Sequence, residues 1–284
     1  MSELEFFNKC NLCGSQEIQR VTQLRGKEKY LERCQRCSLV FLNREEREKV
    51  VDFCRGREAS TETSPSFRQS HTDFFEDFFR KCRLKPGKVL DLGCGIGLFL
   101  LLAREKGWEV QGVEVSRLAA EMARSHYGLP VREGGIEGVS FPEETFDLVT
   151  LWNVLDFLSD PKGVLQNVHR FLKKGGVVVI RVTNIRFHLA VYRLWDLIDP
   201  QRGRENYPAT FHAHNFSETT LKQILMQSGF RRICIRNSKT ITADPHRAVS
   251  LAKAVVAGVS TVLFYGTLGR FCFSSSLIAQ AQRD

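Results

Sequence analysis

Four of the nine cysteines stand in two closely spaced pairs near the start of the chain. Two residues separate the thiols within each pair and twenty residues separate the pairs, which are Cys10, Cys13, Cys34 and Cys37. Two such pairs supply the four thiolates of a tetrahedral zinc site, with bonds of about 2.3 Å and no position left for a catalytic water. We therefore predict a structural Zn²⁺ ion, in preference to a redox-active pair or four unrelated buried thiols.

A glycine-rich turn follows a short apolar segment further along the chain. The sequence Val89-Leu90-Asp91-Leu92-Gly93-Cys94-Gly95-Ile96-Gly97 runs from a strand through a turn into a helix. Alternate glycines let a ligand approach the backbone, and the helix start presents free N–H groups. Glu114 ends the next predicted strand, where a carboxylate can accept both hydroxyl groups of a ribose. The pattern predicts a nucleoside site, and Leu98 at the sixth position disfavours a dinucleotide.

Other candidates for chemistry lie further along the chain. His212 and His214 point to the same side if their segment is extended, and histidine titrates near neutral pH, as a general base requires. Asn153 and Asp156 follow a predicted strand at the carboxyl edge of the sheet, where ligands of open α/β folds bind. We predict catalytic roles for these four residues. The alternative is that the histidines stabilise a loop and that Asp156 begins a helix or faces solvent.

The elements that must position these residues alternate between apolar strands and amphipathic helices. We predict strands at Val89–Leu92, Val110–Glu114, Phe146–Trp152, Val177–Val182 and Phe230–Asn237, and helices at Leu98–Lys106, Arg117–His126, Pro161–Leu172 and Thr219–Gln227. Wholly apolar strands separated by helices belong to a parallel sheet that is covered on both faces. The predicted fold is α/β, a doubly wound, mostly parallel, seven-stranded sheet of Rossmann-like type. Its last strand is expected within Phe271–Gln282.

Composition divides the chain into three parts. We predict a zinc ribbon over residues 1–42, a linker and docking helix over 43–86, and the α/β domain over 87–284 with insertions at 184–216 and 244–270. The docking helix is expected at His71–Arg83, because phenylalanines recur there at helical spacing.

The glycine-rich turn resembles motif I of the class I S-adenosylmethionine-dependent methyltransferases. The resemblance covers about residues 67–240 and includes Phe146-Asp147-Leu148-Val149 at the fourth strand, Phe171–Gly176 before the fifth and Ser228–Phe230 before the sixth. It implies that S-adenosylmethionine is the cofactor and that Glu114 binds its ribose. With the zinc ribbon, the chain also resembles bacterial small-molecule methyltransferases, among them sugar C-methyltransferases.

This resemblance implies a set of cofactor-binding residues in the turn, after the second and third strands and at the end of the fourth. They are Asp91, Gly93, Cys94, Gly95, Gly97, Glu114, Val115, Gly135, Ile136, Trp152 and Asn153. Two positions depart from the family pattern. Phe157 stands where members often have a histidine, and Gly135 stands where they often have an adenine-binding aspartate. Adenine binding is then expected to use the backbone and the apolar side chain of Ile136.

The distribution of charge indicates the kind of partner. The net charge is +9, of which residues 181–284 carry +8. We therefore expect a small, anionic acceptor, such as a sugar nucleotide, a lipid-linked sugar or a similar metabolite, with a solvated basic face as the alternative. The competing functions are an RNA base methyltransferase and a non-catalytic cofactor-binding scaffold. Nucleic acid is disfavoured, because residues 1–86 carry only +3 and lack interleaved aromatic and basic residues.

Two further segments bear on where in the cell the protein is expected to be. The apolar run at 248–268 has Lys253 as its only charge and is borderline in length for a membrane span. We predict a buried or interfacial helix there, with peripheral contact to an anionic membrane as the alternative. Residues 1–9 lack the basic start and apolar run of a secretory signal, so a cytoplasmic location is expected.

Overall fold

Two β-sheets organise the protein, which the computed structural model describes at residues 9–24, 28–56, 64–198, 211–239, 241 and 274–284. The strands are β1 (Ile18–Gln23), β2 (Tyr30–Cys34), β3 (Val40–Leu42), β4 (Lys88–Leu92), β5 (Glu109–Glu114), β6 (Val131–Glu133), β7 (Phe146–Trp152), β8 (Leu172–Thr183), β9 (His214–Asn215), β10 (Arg231–Asn237) and β11 (Ser276–Gln282). One sheet has the order β1-β2-β3-β9 and the other β10-β11-β8-β7-β4-β5-β6. In the larger sheet β4 to β8 are parallel, and β11 is antiparallel to β8 and β10. The predicted fold class is confirmed.

Helices pack on both sheets, and several begin where the local chemistry favours a helix start. They are α1 (Arg44–Gly56), α2 (Pro65–Lys81), α3 (Leu98–Glu105), α4 (Arg117–Tyr127), α5 (Pro161–Phe171), α6 (Ile185–Ile198) and α7 (Glu218–Gln227). Ahead of α2, α4, α5 and α7, a Ser or Asp side chain accepts a hydrogen bond from the backbone N–H three residues later. Such caps satisfy donors that the first helical turn leaves without a partner.

Helix α2 packs on the central sheet as the phenylalanine spacing predicts. Phe74, Phe75 and Phe78 are buried, and each of their rings lies 5.2–5.6 Å from the ring of Trp152 at the end of β7. Edge-to-face and tilted aromatic pairs at such distances stabilise the packing beyond the area that they bury. The helix is therefore held directly over the carboxyl ends of the strands.

Strand β9 joins two parts of the chain that are far apart in sequence. It pairs antiparallel with β3, and His214 lies opposite Phe41. The Asn11 side chain also donates a hydrogen bond of 2.7 Å to the carbonyl of Ser159, in the loop that follows β7. The cysteine-rich segment thus shares both a sheet and a buried core with the α/β domain.

Some predicted features fall outside the described residues. The apolar run 248–268 and the whole insertion 244–270 are among them. In the part of the chain that the structure describes, no helix has the length and apolar character that crossing a membrane requires. Peripheral membrane contact stays a prediction.

Candidate active site

A cavity of about 360 Å³ lies among the carboxyl ends of β4, β5 and β7 and helix α2. All predicted cofactor residues except Gly97 line it. The order of the parallel strands reverses between β4 and β7, and this crevice is where doubly wound sheets bind their ligands. The predicted cofactor residues therefore converge on one cavity.

The glycine turn has two positions at which the backbone excludes a side chain. Gly93 has a φ of +77°, and a Cβ there would lie 2.5 Å from a methyl group of Val154. Gly97 has a φ of +89° and begins α3, where a Cβ would collide with Leu129. Gly97 therefore allows close packing between elements and lies behind the cavity wall.

Glu114 has a geometry that suits it to bind a diol. Its two carboxylate oxygens each accept a hydrogen bond of 2.8 Å, one from the N–H of Gly95 and the other from the N–H of Ser116. The side chain lines the cavity and is buried. A carboxylate has about four lone-pair positions, so about two stay available for ligand hydroxyl groups. The same hydrogen bonds fix the carboxylate against the glycine turn.

Asp91 adds a second acid to this end of the cavity. Its Oδ1 accepts a hydrogen bond of 2.6 Å from the Thr150 hydroxyl. Burial raises the pKa of Asp91 to about 7, and the charge of Glu114 acts in the same direction. A cationic ligand would favour the ionised carboxylate, so this end of the cavity suits positive charge.

Arg181 supplies a buried cation to the same cavity and was missed by the sequence analysis. Its Nε donates to the Ser238 hydroxyl at 2.9 Å, and its Nη1 donates to the side-chain oxygen of Asn153. Burial lowers the pKa of Arg181 to about 10, against the opposing effect of the charge of Asp156. Among the described residues Arg181 forms no salt bridge. The sequence contains one signal of this role, which is that a charged residue interrupts the apolar run Val177–Val182.

Asn153 and Trp152 connect the strand end to this cation. Asn153 has a φ of 57°, a left-handed conformation that asparagine tolerates better than most residues, and its N–H donates to the Arg181 carbonyl at 2.9 Å. Trp152 lines the cavity, and its buried indole N–H has no hydrogen-bond partner among the described residues. Both residues line the cavity at the carboxyl edge of the sheet, where the sequence analysis predicts cofactor binding.

Asp156 does not line the cavity. It is fully buried in the short 3₁₀ turn Leu155–Phe157, and its Oδ2 accepts hydrogen bonds from the N–H and the hydroxyl of Thr183, at 2.9 and 2.7 Å. The carboxyl group thus ties the segment after β7 to the end of β8. The alternative of a solvent-exposed carboxylate does not fit this position.

We expect Asp156→Asn to stabilise the protein increasingly as pH rises from 4 to 8. Burial raises the pKa of Asp156 to about 7, so between about pH 3.9 and pH 7 the folded protein keeps a proton that the unfolded chain releases. The free energy of unfolding of the parent protein therefore falls as pH rises through 7. Asparagine does not ionise, so the Asp156→Asn variant does not show this fall. Thermal unfolding at pH 8 should show a gain of at least about 1 kcal/mol, or about 2–4 °C.

Asp77→Asn is a control of opposite sign, because the hydrogen bond from Lys81 lowers the pKa of Asp77. That variant should lose stability at pH 7. A loss of stability at pH 8 in Asp156→Asn would contradict the raised pKa of Asp156 from which this prediction follows.

The two histidines proposed as general bases lie outside the cavity lining. His214 is fully buried in β9, and burial lowers its pKa to about 3. The His212 ring packs on Phe157, with 4.3 Å between ring centroids, and burial lowers its pKa to about 4. A general base works best with a pKa near the operating pH. The catalytic role predicted for His212 and His214 thus gains no support from their position.

The four paired cysteines come together as the zinc prediction requires. Their sulfur atoms all lie within 4.8 Å of one another, with Cys10 and Cys37 at 3.4 Å and Cys13 and Cys34 at 3.5 Å. A zinc tetrahedron with bonds of about 2.3 Å has edges of about 3.8 Å. The hydrogen bond between Cys10 and Cys37 lowers the pKa of Cys10 and raises that of Cys37, because one proton lies between the two sulfur atoms. The four residues therefore fit a Zn²⁺ ion in both spacing and chemistry.

Comparisons with known proteins agree with this arrangement. Ubiquinone biosynthesis O-methyltransferases match over part of their length: the protein of Pseudomonas aeruginosa is 33% identical over 103 residues, which are 34% of this chain and 44% of that protein. The mitochondrial protein of Schizosaccharomyces pombe is 33% identical over 117 residues, covering 38% and 42% of the two chains. The matches thus span less than half the length of these curated relatives.

Solved structures share the fold. The PH0226 protein of Pyrococcus horikoshii superposes with a TM-score of 0.55 and 19% identity, covering 81% of this chain and all of that chain. A SAM-dependent methyltransferase of Archaeoglobus fulgidus gives a TM-score of 0.51 and 20% identity, covering 76% and 94%. A family model described as a methyltransferase domain matches residues 66–235. The chain belongs to this methyltransferase family.

Proposed function

We propose that the protein transfers a methyl group from S-adenosylmethionine to a small, anionic acceptor. The observation that carries this proposal is that a single cavity contains the predicted cofactor residues and the buried cation Arg181. Asp91 and Glu114 suit the positively charged cofactor, and Arg181 suits an anionic group of the acceptor. Sugar nucleotides, lipid-linked sugars and similar metabolites are the acceptors that the sequence analysis favours.

The residues of the cavity fit this cofactor. Glu114 retains lone pairs for the two ribose hydroxyl groups, the turn at Gly93 and Gly95 brings backbone close to the ligand, and Ile136 offers an apolar surface to adenine. When bound, S-adenosylmethionine supplies an electrophilic methyl group on a sulfonium. The protein's own contribution is to hold donor and acceptor in line. Such positioning can accelerate a reaction as much as raising the concentration of one reactant to about 10^5–10^8 M would.

A panel of matched acceptors tests the proposal. Each small hydroxylated carboxylic acid is offered beside its neutral amide, with methyl-labelled S-adenosylmethionine, and product formation is measured by mass spectrometry. We expect transfer to acids in preference to amides. Arg181→Gln should lower kcat/KM for the acids by at least about tenfold, because a charged hydrogen bond contributes about 1.5–3 kcal/mol.

Lys174→Gln is the matched control, because it removes one positive charge from an exposed position of the same strand. Its kcat/KM should match that of the parent. Equal transfer to acids and amides would refute an anionic acceptor. Methylation of RNA, or tight cofactor binding without transfer to any acceptor, would favour one of the two competing functions.

A further inference from the structure

We propose that His71 is the general base of this site and that, with Arg181, it forms a subsite for a hydroxy acid. In this subsite Arg181 binds the anionic group of the acceptor and His71 takes the proton of its hydroxyl. The inference rests on the proposed methyltransferase function and adds an acceptor class and a second residue to it. Both residues line the cavity, His71 from α2 and Arg181 from β8.

The hydrogen bond of His71 defines which ring nitrogen can accept a proton. Its Nδ1 lies 2.8 Å from the carbonyl oxygen of Phe67, one helical turn earlier. A carbonyl oxygen only accepts hydrogen bonds, so Nδ1 carries the proton and Nε2 of the neutral ring has a free lone pair. Among the described residues Nε2 has no hydrogen-bond partner. The ring is held in this orientation by stacking on Phe67, with 3.8 Å between centroids.

The surroundings of His71 keep its ring neutral before the acceptor binds. Burial lowers the pKa of His71, and the positive charge of Arg181 acts in the same direction. The other ionisable groups that line the cavity are the carboxyl groups of Asp91, Glu114 and Glu137 and the thiol of Cys94. An anion bound to Arg181 would offset the charge of Arg181, and the His71 imidazole would then become a stronger base. Acceptor binding and proton removal are therefore coupled through Arg181.

The cavity wall around Arg181 and His71 is mostly apolar and therefore favours an acceptor with few polar groups. It includes the rings of Phe67, Phe74, Phe75 and Phe157, and the Arg181 guanidinium lies 5.3 Å from the centroid of Phe74. One anionic group and one hydroxyl match Arg181 and His71, and the indole N–H of Trp152, which has no partner among the described residues, offers one further hydrogen bond. Each additional buried polar group of the acceptor would need its own partner. A hydroxy acid with an otherwise apolar body fits this wall.

The step balances without a further reactant. The hydroxyl proton of the acceptor moves to Nε2 of His71 while the oxygen lone pair forms a bond to the methyl carbon. The carbon–sulfur bond breaks and its electron pair stays on sulfur, giving S-adenosylhomocysteine. The imidazolium of His71 then releases its proton to water. A positioned base of this kind contributes about 10^2–10^4-fold to the rate.

The first test needs no turnover. Nitrogen-15 NMR of the histidine rings should show His71 in the tautomer protonated at Nδ1, with a pKa below the ordinary histidine value of about 6.5. Arg181→Gln should raise the pKa of His71, because it removes a neighbouring positive charge, and Lys174→Gln should leave it unchanged. A ring protonated at Nε2, or a pKa that does not respond to Arg181→Gln, would overturn the proposal.

The second test uses the hydroxylated acids that the parent protein methylates. His71→Ala and His71→Gln should lower kcat by at least about 10^2-fold, while the dissociation constant of S-adenosylhomocysteine stays within about twofold. Added imidazole should restore part of the activity of His71→Ala, and His126→Ala should behave as the parent does. Turnover within threefold of the parent would refute His71 as the base and leave the methyltransferase function intact. A parent that methylates sugar nucleotides but no hydroxy acid would refute the hydroxy-acid subsite, and a parent that methylates no anionic acceptor would refute the proposed function.

Discussion

Glu114→Ala is expected to weaken the binding of S-adenosylhomocysteine by about 10^2-fold or more. The carboxylate is buried and retains lone pairs for two ribose hydroxyl groups, and each charged hydrogen bond contributes about 1.5–3 kcal/mol. The substitution also releases the N–H groups of Gly95 and Ser116, so the glycine turn loses the group that fixes it. Isothermal titration calorimetry of the purified protein measures the effect.

Glu133→Ala is the matched control for this measurement. Glu133 lies opposite Glu114 in the neighbouring strand β6, and it is exposed and absent from the cavity lining. Its removal should leave the affinity within about twofold of the parent. An affinity of Glu114→Ala within tenfold of the parent, which is about 1.4 kcal/mol, would refute the ribose role of Glu114.

Loss of the metal is expected to have the largest effect on stability. Protein purified without added zinc should contain one Zn²⁺ per chain, and Cys37→Ser should lower the thermal unfolding midpoint by about 10 °C or more. The reason is that a cysteine-rich ribbon obtains much of its folding free energy from the metal. Elemental analysis and calorimetric melting of parent and variant give the two quantities.

Cys234→Ser is the control that shows whether removing any cysteine thiol lowers the unfolding midpoint. Cys234 is an exposed free cysteine in β10, outside the cluster. That variant should keep its zinc and its unfolding midpoint. A zinc content near zero in the parent protein, or four freely titrating thiols in its native state, would refute the metal site.

The elements that sequence predicts well are those whose pattern is local. Strand β7 occupies the predicted residues Phe146–Trp152, and α5 ends one residue before the predicted boundary. In each case the apolar spacing and the flanking cap lie within the element itself, so neighbouring residues alone define its type. The glycine turn belongs to this class, because its backbone conformation requires glycine at particular positions.

Helix α6 and strand β9 are among the elements that escaped prediction, and both depend on distant partners. Helix α6 buries Ile185, Leu189 and Tyr192 against residues of the ribbon strands, in a core separate from that of the larger sheet. Strand β9 has only two residues and is defined by its pairing with β3. A strand of this length has no periodicity of its own, so its sequence contains too little information to identify it.

The roles of Arg181 and His71 also follow from tertiary contacts. Arg181 is the single charge in the apolar run Val177–Val182, and only the fold shows that Asn153 and Ser238 orient it toward the cavity. His71 was predicted as the start of a docking helix, but α2 begins six residues earlier and places the ring inside its second turn. The bond to the Phe67 carbonyl exists because of this earlier start.

The pairing of β9 with β3 has a consequence for the order of events during synthesis. The ribosome completes Val40–Leu42 long before His214 and Asn215, and at about 5–20 residues/s the interval is roughly 10–35 s. Until then β3 has an apolar edge with no strand beside it, and such edges pair readily with other chains. The nascent ribbon is thus most prone to aggregation while the α/β domain is being made, and early zinc binding or a chaperone would protect it.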